Sequence, residues 1–246
     1  MIFLRSLVFN IWFYGITFLL AFGSMVPRLF TRNPVPPWAM RVARLWAELV
    51  LSGLRRICNA SWVVTGRENL PQSGPVLIAS MHQSAFDTMV WLLLVPSACY
   101  VLKRELLAIP VFGAMCKMTG MIPVDRGAGS GAIRSLLRGA DRALAEGRQI
   151  VIFPEGTRAP PGARLPLQPG IAALAARSGL PVIPVATDSG ICWGRRAFRK
   201  RSGVIHIAIG KPIPAGLPRE ELMRRLDQAF AQGLPIPAEA VDNSVG

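Results

Sequence analysis

At 246 residues, with 51% hydrophobic and only 17% charged side chains, the chain is long enough for one substantial core and is apolar for a soluble enzyme. Its formal net charge of +14 suits an anionic membrane surface or nucleic acid. The apolar excess favours the membrane, and aromatic residues do not interleave with basic ones as a base-stacking platform requires, so nucleic acid is set aside as a partner.

Residues 7–26 contain no charge and lie between Arg5 and Arg28. The stretch can span a bilayer as a helix, or lie in its plane as an interfacial or re-entrant anchor. It is long and aromatic for a signal core, and no clear small-residue cleavage site follows. After the prolines Pro34, Pro36 and Pro37, residues 42–57 repeat with helical period. Val42, Leu45, Trp46, Leu49, Val50 and Leu54 make a broad apolar face flanked by Arg41, Arg44, Arg55 and Arg56. A basic amphipathic helix of this kind suits a membrane surface, or simply covers a sheet.

Beyond it, strand signals recur at 61–64, 76–80, 99–103, 121–125, 149–153, 182–186 and 204–209. Helical stretches at 88–95, 105–117, 130–146, 170–178 and 219–230 lie between several of them. The alternation predicts an α/β fold, a largely parallel central sheet flanked by helices, with an N-terminal membrane-associated helical segment. We divide the chain into N-terminal anchor or interfacial helices (1–58), an α/β catalytic body (59–231) and a loosely held tail (232–246). Cys58, Cys99, Cys116 and Cys192 are too scattered for a metal-ligand pair or a secreted disulfide pattern. They read as reduced core thiols of a cytosolic body.

Four strings in this body carry chemistry. His82-Gln83-Ser84-Ala85-Phe86-Asp87 follows the apolar run 76–80 and precedes an apolar helix. Five residues apart on one helix, His82 and Asp87 would point about 140° away from each other. With His82 in the turn and Asp87 in the first helical turn, the carboxylate reaches the ring and leaves the other ring nitrogen free as a base. The plain alternative is a lone histidine at a helix entry beside a helix-start acid. Residues 120–126 form a strand ending in Asp125-Arg126, before a glycine-rich turn and a helix start where Ser130 is a candidate cap. Arg126 there can hold a phosphate through its planar fork, or be a solvated strand-end charge.

Phe153-Pro154-Glu155-Gly156-Thr157-Arg158 ends the apolar strand 149–153 and faces the crevice at the strand ends. Arg158 is the stronger phosphate candidate; Glu155 can receive a hydroxyl or align Arg158, and Gly156 allows a backbone shape closed to other residues. Ile183-Pro184-Val185 puts a proline inside an apolar strand, which suggests an edge, a bulge or a shaped wall. Lys103 ends another strand and adds positive potential near His82. Arg195, Arg196, Arg199, Lys200 and Arg201, with Trp193 and Phe198 among them, can meet anionic headgroups or an acidic carrier protein. His206, between Ile205 and Ile207, reads as a structural or surface histidine.

Taken together, 75–212 resembles the 1-acyl-glycerol-3-phosphate acyltransferases of the wider glycerolipid acyltransferase superfamily. The family's four blocks look like His82 to Asp87, Gly120 to Arg126, Phe153 to Arg158, and Ile183 to Val185, in family order. The resemblance implies a membrane-associated O-acyltransferase that needs no cofactor. Acyl-CoA or acyl carrier protein would donate the chain to a lysophospholipid acceptor, with membrane lipids as its surroundings. It implies His82 as general base, Asp87 as its orienter, and Arg126, Glu155, Gly156, Thr157 and Arg158 around the acceptor; Lys103 joins these substrate-binding candidates by its charge and position alone. Two departures, Met81 where the family commonly has asparagine and Gln168 where a lysine is often found, leave the acceptor open between lysophosphatidic acid and another lysolipid such as lyso-ornithine lipid. A thioesterase or lipid hydrolase, and a non-catalytic membrane-binding module, are the competing readings. The catalytic body is expected on the cytoplasmic side of the inner membrane.

Overall fold

The apolar run 76–80 forms β2 (Val76–Ser80), and all of its residues are buried. A strand without polar alternation has to be covered on both faces, which is the condition of an interior strand in a parallel sheet. The computed structural model describes residues 1–233, and in it β2 lies inside a seven-stranded sheet. The other strands are β1 (Ala60–Thr65), β3 (Ala98–Lys103), β4 (Ile122–Val124), β5 (Gln149–Ile152), β6 (Val182–Thr187) and β7 (Gly203–Ile209), in the order β1-β7-β6-β2-β5-β3-β4. β2 pairs parallel with β5 and β6, β5 with β3, and β3 with β4. β7 runs antiparallel to β6, and β1 parallel to β7. The sheet is therefore largely parallel, as expected, and the carboxyl ends of β2 to β6 all emerge at one edge.

Helices cover both faces. On one, α2 (Pro37–Cys58) and α3 (Asp87–Leu94) pack Val50, Leu51, Leu54, Met89 and Trp91 onto Ile78, Val151, Ile183 and Ile205. On the other, α5 (Ser130–Ala145), α6 (Gly170–Ser178) and α8 (Arg219–Gln232) pack Leu136, Ile171, Leu174, Leu222 and Leu226 onto Leu77, Ile150 and Val182. Proline opens α2 at its first position, where the missing N–H costs nothing. Asn59 closes it in the left-handed region (φ 55°), its N–H donating to the Leu54 carbonyl. α1 (Ile2–Leu29) lies against α2. It is long and apolar enough to cross a membrane, and most of its side chains, Phe3, Leu7, Ile11, Phe18, Leu19 and Phe22 among them, are exposed.

Several local expectations change. The single helix expected over 105–117 is a 3₁₀ turn (Arg104–Ala108) followed by α4 (Phe112–Met118). Pro110 is the cause: it forces Ile109 into extended backbone, and Val111 then takes φ 64° before α4 begins. A short α7 (Ser189–Cys192) was not foreseen. Gly129, not Ser130, occupies the cap position of α5. Pro184 lies in β6, an interior strand, and its carbonyl accepts the Gly210 N–H at 2.8 Å, one step beyond the last β6–β7 pair at Val185 and Ile209. The tail expectation falls at 234–246 outside the described residues.

Candidate active site

Met81 extends β2 by one hydrogen bond, its N–H donating to Val185 O, and the chain then turns away from the sheet. α3 begins at Asp87, so His82 stands in the turn and Asp87 in the first helical position. Asp87 Oδ2 gathers the whole turn. It accepts N–H groups from Gln83 (2.7 Å) and Ser84 (2.8 Å) and lies 3.1 Å from His82 Nδ1. Charge-assisted bonds of this kind hold a buried carboxylate in place. Ser84 Oγ accepts the Phe86 N–H, and Gln83 Oε1 accepts the Gly190 N–H at the start of α7. The His82 ring stacks on Phe153 with centroids 4.1 Å apart and planes 21° apart. In the neutral ring that donates Nδ1–H to Asp87, the lone pair sits on Nε2, which has no hydrogen-bond partner among the described residues.

The adjacent strand β5 delivers the second string. Gly156 turns the chain with φ 72°, and its N–H donates to Phe153 O. Glu155 Oε2 accepts the backbone N–H of His82 at 2.6 Å, and the His82 carbonyl accepts the Ala159 N–H at 2.7 Å. The backbone of His82 is thus clamped on both sides by residues 155–159. Glu155 is 6% exposed. Burial, aided by the nearby Asp87 charge and opposed by the His82 hydrogen bond, pushes its carboxyl up to about 7.

Two arginines approach this turn from different loops. Arg126, just beyond β4, donates from Nη1 to the Gly156 carbonyl. A Cβ at 156 would lie 3.1 Å from that nitrogen and 3.4 Å from Gln168 Cγ, so glycine lets the guanidinium in. Arg158 is half-buried, and burial lowers its pKa. The Asp87 carboxylate opposes that shift, and the positive charges of Arg195 and Arg196 add to it. Burial also lowers the pKa of Arg126.

Lys103 and Thr157 are exposed at the same edge and hydrogen-bond to none of these groups among the described residues. The structure therefore brings His82, Asp87, Glu155, Gly156 and Arg126 into one chain of contacts, with Arg158 in electrostatic reach of Asp87. Sequence reasoning missed Gln83, Ser84 and Phe153. A serine three positions before the aspartate, as in a capping turn, and an aromatic residue ending β5 were the available signals. His206, read as structural, meets Asp188 through Nδ1 at 2.7 Å on β7, beside the edge strand β1. Cavities of about 250 and 180 Å³ lie at the opposite edge of the sheet, sharing Val35, Glu146 and Arg148, away from His82. Among the described residues no three His, Cys, Asp or Glu side chains are grouped to hold a metal ion.

Comparison with known proteins gives a consistent result. The family described as Acyltransferase matches residues 61–188, which include every candidate site residue. A 1-acyl-sn-glycerol-3-phosphate acyltransferase of Pseudomonas aeruginosa is 34% identical over 185 residues, 74% of this chain and 72% of the relative. The human 1-acyl-sn-glycerol-3-phosphate acyltransferase alpha is 30% identical over 171 residues, 68% of this chain and 60% of the relative. The solved structure of the 1-acyl-sn-glycerophosphate acyltransferase of Thermotoga maritima superposes with a TM-score of 0.71 at 23% identity, covering 95% of this chain and 96% of that one.

Proposed function

The chain belongs to the acyltransferase family, and on that premise we propose that it transfers a fatty acyl group to the free hydroxyl of 1-acyl-glycerol-3-phosphate, giving phosphatidic acid. The donor is acyl-CoA or acyl carrier protein. His82 Nε2 takes the hydroxyl proton as that oxygen attacks the thioester carbonyl. The tetrahedral adduct then collapses, the C–S bond breaks, and the imidazolium returns the proton to the leaving thiolate. Asp87 holds the ring and balances the imidazolium. Arg126 and Arg158 hold the acceptor phosphate, Glu155 and Gly156 shape the turn between them, and Thr157 and Lys103 line the approach.

The observation that carries this reading is the pairing of the buried Asp87 with the partly exposed His82, its Nε2 free, at one sheet edge with guanidinium groups from two separate loops. The purified protein, given lysophosphatidic acid and an acyl thioester, is expected to form phosphatidic acid, and His82→Ala is expected to abolish it. Full activity in that variant would refute the assignment of the base. Release of free fatty acid without an acceptor would favour a thioesterase. Preference for lyso-ornithine lipid in an acceptor panel would move the substrate.

In this reading α1 and α2, within residues 1–58, are the anchor, residues 59–231 carry the chemistry, and the body faces the cytoplasm at the inner membrane. α1 lies in the plane of the membrane rather than across it. Supporting this, Trp12 Nε1 donates to Leu49 O at 2.9 Å, Trp46 Nε1 to Thr17 Oγ1 at 2.9 Å, and Ser24 Oγ lies 3.1 Å from Met115 Sδ on α4. A helix fastened to the body along its length cannot enter the bilayer alone.

A further inference from the structure

One basic segment plays no part in this chemistry. The loop between α7 and β7 carries Arg195, Arg196 and Arg199, all exposed, and Lys200, which is 4% exposed. No ion pair neutralises Arg195, Arg196 or Arg199 among the described residues. α7, which leads into the loop, is tied to the His82 turn by the Gly190 N–H donating to Gln83 Oε1 at 3.1 Å, and the charges of Arg195 and Arg196 reach Arg158, so the loop borders the catalytic edge.

The loop is also fastened to α1. Lys200 Nζ sits 5.1 Å from the centroid of Trp193, 5.6 Å from Phe9 and 6.0 Å from Phe198. It donates to Asn10 Oδ1 at 2.7 Å and to the carbonyls of Ala197 and Phe198 at 3.0 Å. The Lys200 N–H donates to Ser6 Oγ at 2.9 Å, and Asn10 Nδ2 to Phe198 O at 3.2 Å. Outside this buried cation, Phe198 packs on Phe3 with centroids 5.2 Å apart, and both rings are exposed. Ile2, Leu4 and Leu7 continue the apolar surface along α1, with exposed Arg5 among them. Arg196 is held at φ 56°, a region side-chain-bearing residues seldom occupy, so the surrounding contacts set the loop's shape.

We propose that this loop and the first turns of α1 form one platform for an anionic lipid surface, the arginines meeting headgroups while Phe3, Phe198 and the apolar side chains enter the layer beneath. Exposed cations beside exposed apolar side chains on a rigid support match the two zones of a bilayer surface. An acidic protein partner would use the charges and leave the adjoining apolar side chains in water. Because the platform borders Arg158, docking brings the catalytic edge against the bilayer.

The test is pelleting of full-length protein with vesicles of phosphatidylcholine, with or without phosphatidylglycerol. Wild type is compared with Arg195→Gln/Arg196→Gln/Arg199→Gln and with Arg134→Gln/Arg138→Gln/Arg219→Gln. The second variant removes equal charge from α5 and α8 on the other face of the sheet. Each arginine near an anionic surface contributes about fivefold in partitioning, so the loop variant should lose about a hundredfold of the preference for anionic vesicles. The α5/α8 variant should stay within about threefold of wild type. Equal losses in both would reduce the effect to net charge and overturn the proposal. An unchanged preference in the loop variant, or a loss of binding to an acidic acyl carrier protein in its place, would overturn it as well. Partitioning is measured without turnover, so it stands apart from the reaction assigned to His82.

Discussion

Replacing Glu155 with glutamine isolates the energetic consequence of burying a carboxylate beneath His82. The amide oxygen can still accept the His82 N–H, so the variant removes the charge and keeps the acceptor. In the folded protein the carboxyl is pushed up to about 7, from an ordinary value of 4.5, chiefly by burial. Its folded pKa lies above its unfolded one, so the folded state holds its proton longer. The contribution to stability is present at low pH and declines as the pH rises from about 4.5 through about 7. At about 1.4 kcal/mol per unit, the full decline is about 3–4 kcal/mol, most of which falls between pH 5 and pH 8. Glu155→Gln has no such loss. Denaturant unfolding of both proteins in detergent, followed by tryptophan fluorescence across that pH range, reads the difference directly. The gap should move in favour of the glutamine variant as the pH rises, by about 2–3 kcal/mol. Parallel pH profiles, or a wild type that gains on the variant toward pH 8, would refute the account of Glu155 as a carboxylate destabilised by burial.

Asp87→Asn keeps an oxygen for the Gln83 and Ser84 amides but loses the charge that balances the imidazolium, so kcat should fall by about 10²–10⁴ with the fold intact by circular dichroism. Arg158→Gln should raise KM for lysophosphatidic acid about 10–100-fold and leave the acyl-donor KM within a few-fold; the opposite pattern would move Arg158 to the donor side. Lys200→Met leaves Asn10 Oδ1 and two carbonyls without their cation and should cost about 2–4 kcal/mol in denaturant unfolding, with faster proteolysis in the 193–201 loop.

Much of this molecule can be read from neighbours in the chain. The unbroken apolar run 76–80, the 3.6-residue repeat of α2 and the proline that opens it are local signals, and they located β2 and α2 closely. The angle between positions five apart showed that His82 and Asp87 could pair only with His82 in a turn and Asp87 at a helix start, and the structure has that arrangement. The four blocks in their order carried the resemblance to the acyltransferases. Local signals misjudged 105–117, where the helical pattern hid what Pro110 does to the residues beside it.

Strand order was beyond such reasoning, because β2 lies between β5 and β6, which come from distant parts of the chain, and hydrophobic pattern names no partner. The same limit applies at the site. That Glu155 meets the backbone amide of His82, 73 positions away, depends on two parallel strands ending side by side. Composition made α1 apolar and membrane-seeking, but only packing laid it along α2 and tied its first turns to Lys200. Periodicity is set by the few residues within reach along one helix or strand. Which surfaces then meet is decided by burial and hydrogen bonding between segments far apart in sequence, and those terms exist only once the chain has folded.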